Sequence, residues 1–120
     1  MGKKIDLEFA HEVFKDLVKP AHPLSIDLIQ KTVAKAYNIK ATDLCSERKF
    51  KYIALPRQIA MYLSRKLTNA SFPDIGNRFG GKDHTTVLHA VKRIESKLAD
   101  DNSLKNSIES LEKTIRFGNH

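Results

Sequence analysis

The sequence lacks tryptophan and has a single cysteine, Cys45. One thiol cannot close an internal disulfide, which fits a reducing, cytosolic compartment. No apolar run approaches the ~18 residues that a membrane-spanning helix needs. The N-terminus, MGKKIDLEF, has no long apolar stretch after its lysines and does not have the form of a secretory signal. There is no internal repeat and no low-complexity run. No stretch alternates apolar and polar residues for long enough to argue a strand.

What is present suits one soluble domain. The chain has 120 residues, of which 41% are hydrophobic, enough to bury one core. The net charge is +7, and its placement is informative. Residues 46–97 hold 11 Lys/Arg against 4 Asp/Glu, while residues 1–45 carry a net +1 and residues 98–120 a net −1. A basic segment between near-neutral flanks points to an acidic polymer or surface as partner; a merely solubilising basic face is the plainer reading.

Apolar spacing and cap residues divide the chain into helices. The first runs from about Asp6 to Val18, and KPAHP (residues 19–23) breaks it. Residues 1–23 are therefore expected to be a linker helix from a separate upstream unit, with the main domain over 24–120. Ser25 caps the next helix, which carries Ile26, Ile29, Val33 and Tyr37 on one stripe and ends near Asn38. A short turn of helix is expected over Ala41–Cys45. SERKFKY (46–52) follows as a basic loop. Pro56 suits a first helical turn, so a helix is predicted from there, with Ile59, Ala60, Leu63 and Leu67 buried and Gln58, Met61 and Arg65 opposite. Ser71 and Asp74 resemble a capping box that opens a short helix. Gly80 and Gly81 end it, because glycine accepts the left-handed conformation. Asp83 caps the following helix, expected to reach about Ala99 with Val87, Leu88, Val91, Ile94 and Leu98 inward. A last helix is expected near Ser103–Phe117. The fold class is all-α.

The stretch GNRFGGKD (76–83) nearly matches a phosphate-binding loop, G-x-x-x-x-G-K-[ST]. Such a loop follows a buried strand and uses the terminal hydroxyl for Mg²⁺. Here a short helix precedes it and Asp83 replaces the hydroxyl. A metal site is no better supported. His84 and His89 are five residues apart, about 140° around a helix, and do not converge. His11, His22 and His120 read as surface residues.

A helix-turn-helix fits the same stretch. The turn is Gly80-Gly81-Lys82, and the second helix opens with Asp83-His84-Thr85-Thr86. Gly76, inside the first helix, is expected to admit close approach of the second. On a 100° wheel Thr85, Thr86, His89, Lys92 and Arg93 share a polar, basic face, while His84 falls on the apolar side and must project off the helix end to be useful. Recognition helices present their first residues to base edges. Asp83 can accept from cytosine N4–H, and the Thr85 methyl can pack on a thymine methyl. Lys82, Lys92, Arg93 and the N–H groups at the helix start suit phosphates. Taken singly, a plain cap explains Asp83 and an ordinary first turn explains the threonines; the combination favours DNA. Arg48, Lys49 and Lys51 around Phe50 form a second candidate contact, for a minor groove. The alternative is a solvated loop with Phe50 or Tyr52 packed on the core.

At FGGKDHTTVLHAVKRI the sequence closely resembles the C-terminal DNA-binding domain of the bacterial DnaA family of replication initiators. IDLIQKTVAKAYNIKATDL and PRQIAMYLSRKLTNASFPDIG match in order, so the likeness covers about residues 24–117. Residues 5–18 resemble the helix that joins the family's ATPase domain to this one, and the chain is expected to be a piece of a longer initiator. The resemblance implies binding to short asymmetric DnaA boxes in duplex DNA at the replication origin, in the bacterial cytoplasm. It implies base contacts by Asp83, His84 and Thr85 in the major groove and by Lys49 in the minor groove. It implies backbone contacts by Arg57, Gln58, Arg65, Lys82, Thr86, His89 and Arg93. Lys49 stands where the family has arginine, and Leu55 where some members have a basic residue; a lysine binds as a point charge without the planar fork. No cofactor is expected here, ATP belonging to the absent upstream domain, and no catalysis. Other initiator copies, acting through other domains, and acidic phospholipids are the further partners implied, with this piece monomeric. Competing readings are a helix-turn-helix transcriptional repressor, a nucleotide-hydrolysing enzyme and an adaptor for acidic proteins or membranes.

Overall fold

The computed structural model describes residues 24–47 and 50–118. The linker helix expected over residues 1–23, with its break at KPAHP, lies outside them, as do Arg48, Lys49 and the last two residues. Among the described residues there are six α-helices and no strands, the all-α class that the periodicity implies. None of these helices is long and apolar enough to cross a membrane.

Helix α1 spans Ile26–Ala36. The Ser25 hydroxyl accepts from the Leu28 N–H at 3.1 Å and satisfies one of the free donors of the first turn. Ile26, Ile29 and Val33 turn inward, and Asn38 takes the left-handed conformation (φ 57°) just beyond the end. Helix α2 is one turn, Ala41–Leu44. The Asp43 carboxylate accepts from the Lys40 N–H at its start, and Leu44 is buried.

Helix α3 runs over Lys51–Leu67, starting five residues before the Pro56 onset expected from sequence. The Phe50 carbonyl opens it by accepting from the N–H groups of Ile53 and Ala54. Pro56 therefore sits inside the helix, where its missing N–H leaves the Tyr52 carbonyl without an intrahelical donor. Tyr52 is exposed, so water can serve that carbonyl. Lys51 and Tyr52 consequently belong to the helix and not to the basic loop. Met61 is a second correction. Expected on the polar face, it is 1% exposed, because α3 is flanked on both sides, by α1 and by α5.

Helices α4 (Phe72–Arg78), α5 (His84–Asp100) and α6 (Asn102–Phe117) complete the fold. Ser71 caps α4 through the Asp74 N–H, with Pro73 in the first turn. Asp101 closes α5 and caps α6, its carboxylate accepting from the Leu104 N–H at 2.9 Å. This single residue makes the corner between two long helices. One core joins all six helices through residues such as Ile29, Leu44, Leu63, Ile75, Val87 and Ile115. Phe79, just past α4, is wholly buried within it. At the periphery Lys66 pairs with Glu112 at 2.7 Å and ties α3 to α6; the shared hydrogen bond raises the lysine pKa.

Candidate nucleic-acid interface

Helices α4 and α5 form the helix-turn-helix, with α3 packed across α5. Gly80 (φ 86°) and Gly81 (φ 76°) both take the left-handed conformation in the turn, as the glycine pair predicts. Gly76 has the tight surroundings expected of it, with one correction to their source. A Cβ there would collide first with the Lys82 carbonyl of the turn, whereas Val87 of α5 is 3.6 Å away. The Lys82 N–H in turn donates to the Gly76 carbonyl at 2.8 Å, drawing the turn back onto α4.

The turn delivers Asp83 to the start of α5. Asp83 occupies the N-cap position, but its carboxylate accepts no hydrogen bond from the helix. It lies instead 3.2 Å from His84 Nδ1, and both side chains are more than half exposed. The capping expected of Asp83 is therefore positional only, and its oxygens face outward. His84, placed on the apolar side by the wheel, is exposed because it is the first helical residue and has no preceding turn to pack against. Thr85 is partly buried and Thr86 exposed.

An open cleft runs between α3 and α5, and six of the residues expected to meet a DNA backbone line it: Arg57, Gln58, Lys82, Thr86, His89 and Arg93. Lys92 belongs to the same wall, and Ala54 and the buried Met61 also border the cleft. Burial, and next the neighbouring Arg57 charge, push the Lys82 pKa down. Several cations in one open cleft make a strongly positive surface suited to a polyanion. Arg65 lies outside this lining. Its guanidinium sits 4.5 Å above the Phe72 ring and donates to the Ala70 carbonyl, so it braces the start of α4 while remaining exposed.

Arg57 is the surprise of the cleft. Its Nε donates to the Leu44 carbonyl at 3.0 Å, and its Nη2 to the carbonyls of Ser46 (2.8 Å) and Asp43 (3.2 Å) and to the Ser46 hydroxyl (3.3 Å). Lys49 lies outside the described residues. Beside it, Phe50 and Tyr52 do not pack on the core; they are 52% and 60% exposed and stack on each other with centroids 5.5 Å apart. Sequence reasoning missed Gln30, which is buried in α1 and donates to the Arg78 carbonyl at the end of α4 (2.9 Å). Nothing in a polar residue at one helical position signals a partner 48 residues away.

Comparison with known proteins agrees with this geometry. A family model described as "Bacterial dnaA protein helix-turn-helix" matches residues 26–94. The chromosomal replication initiator protein DnaA of Geobacter metallireducens is 49% identical over 115 residues, 95% of this chain and 26% of that protein. The protein of the same name from Rhodopseudomonas palustris is 45% identical over 117 residues, 96% of this chain and 25% of that one. A crystal structure of a DNA replication initiation factor superposes with a TM-score of 0.68 at 37% identity, over 75% of this chain and 27% of the other. The chain thus spans about a quarter of the length of these relatives. With the family match covering more than half of its residues, the chain belongs to the bacterial DnaA family, as its C-terminal helix-turn-helix domain.

Proposed function

We propose that the chain is a sequence-specific duplex DNA-binding module that recognises DnaA boxes at a replication origin and performs no catalysis itself. One observation carries this reading. The start of α5 presents Asp83, His84 and Thr85 at the end of a cleft that gathers Lys82, Thr86, His89, Lys92 and Arg93. The first three are suited to base edges in the major groove, and the cleft to the flanking phosphates. Gln58 joins the phosphate contacts from α3, and Arg65 from its exposed position. The basic segment with Lys49 enters the adjacent minor groove. The module needs no cofactor for this; ATP belongs to the upstream part that the family implies. It acts as a monomer in the bacterial cytoplasm, and assembly with other initiator copies and association with acidic phospholipids are tasks of the longer protein.

Titration of a box-containing duplex into the isotopically labelled chain tests the assignment of the face. Amide shifts are expected at residues 81–93 and at Gln58, with α6 unchanged. Shifts concentrated on α6 instead would contradict it.

A further inference from the structure

Three large hydrophobic side chains are exposed among the described residues: Phe50, Tyr52 and Phe117. Phe117 ends α6, but Phe50 and Tyr52 lie together where α3 begins. Their rings stack nearly parallel, with 10° between the planes and 5.5 Å between centroids, an offset arrangement that aromatic quadrupoles favour. That contact uses one face of each ring. More than half of each side chain stays in water, and neither ring joins the core. Apolar side chains exposed singly need no explanation, whereas a pair set face to face forms a contact surface.

The surroundings select the ligand. Lys51, between the two in sequence, is exposed and cationic. Ala54, two residues past Tyr52 on α3, already lines the cleft that carries Lys82, Lys92 and Arg93. This setting suits a polyanion that also offers flat apolar faces, and nucleic acid has both. In a duplex each base face is covered by its neighbours, so only an unpaired strand presents a face to an aromatic ring. Such stacking beside a cationic groove is the common chemistry of single-strand binding. The parallel pair also holds each ring in place before a base arrives, which lowers the ordering cost of binding.

We propose that Phe50 and Tyr52 are a stacking platform for an unpaired nucleobase, by which the chain holds single-stranded DNA next to the duplex it reads. The proposal rests on the DNA-binding reading above and extends it from paired to unpaired strands.

Fluorescence anisotropy of the full chain on two DNAs tests it. One is a blunt duplex carrying a DnaA box; the other is the same duplex with a thymidine overhang of about ten nucleotides, placed at each end in turn. One of the overhangs should tighten binding about fivefold or more, the effect of one stacked base. Substituting Phe50→Leu and Tyr52→Leu together keeps apolar bulk but removes both flat rings, and should make blunt and overhung duplexes bind equally. Tyr52→Phe keeps the ring and should keep the gain. Equal binding of the two DNAs by the native chain overturns the proposal, as does a gain that survives the leucine substitutions. A pair that touches the duplex instead would, on substitution, weaken both DNAs alike and leave their ratio unchanged, which also overturns it. If box and scrambled duplexes bind equally, the box reading fails, and free oligothymidylate decides the platform by itself. The chain has no tryptophan, so its tyrosine emission is readable. Oligothymidylate should quench that emission in the native chain but not in Tyr52→Phe. Unchanged emission in the native chain would refute the platform.

Discussion

Asp83 shows what a single residue type can and cannot announce. An aspartate before a helix reads as a cap, and Asp83 does occupy that position. Whether its carboxylate turns back to the helix or out to solvent depends on its neighbours, and here it turns toward His84. Two costs therefore separate. Asp83→Ala forfeits no capping hydrogen bond; it loses the exposed contact to His84 and a charge near a helix N-terminus, the latter worth about 0.3–1 kcal/mol of stability. Its loss of discrimination between a box and a mutated box should be larger, about 1–3 kcal/mol. Thermal melting and competition binding measure the two. A stability loss with unchanged discrimination would return Asp83 to a purely structural role. Ser25 and Ser71, by contrast, are fully legible, because each hydroxyl reaches an N–H three residues on, within its own local sequence. Arg57 and Gln30 are not, because their partners come from other helices.

At the scale of elements, the helix-turn-helix is readable because its signals are local: a capped start, two glycines, a polar opening and an apolar stripe. The boundary of α3 is not. Pro56 suggests a beginning, and the lysines and aromatics before it look like loop, yet the Phe50 carbonyl starts the helix five residues earlier. Met61 escapes the single-stripe pattern for a related reason: a helix flanked by two neighbours buries more of its circumference than one stripe predicts. The close fit of the turn on α4 gives a sharp test. Alanine is favoured over glycine inside a helix by about 1 kcal/mol. At Gly76 a Cβ would meet the backbone carbonyl of Lys82, which cannot swing aside as a side-chain end can. Gly76→Ala should therefore destabilise the domain by a net of about 1–3 kcal/mol, read as a lower urea midpoint. Unchanged or increased stability would show that the turn is free to move.

At the scale of the whole molecule, the distribution of charge is legible in the amino-acid order alone. The excess of positive residues lies in 46–97, and the fold concentrates part of it along the α3–α5 cleft. Sequence does not show which cations stay available there and which are spent internally. Arg57 is committed to carbonyls of the α2 end, whereas Arg65 leans on Phe72 and stays exposed. A basic surface alone supplies affinity for any duplex, falling steeply with salt. Selectivity requires the side chains at the start of α5, and the central claim rests on them. The most direct measurement is an anisotropy titration of the chain with a duplex carrying a DnaA box and with a scrambled duplex of equal length, at near-physiological salt. The box should be bound more tightly by about tenfold or more, the equivalent of at least one good base contact. Equal affinity for the two duplexes would contradict the account.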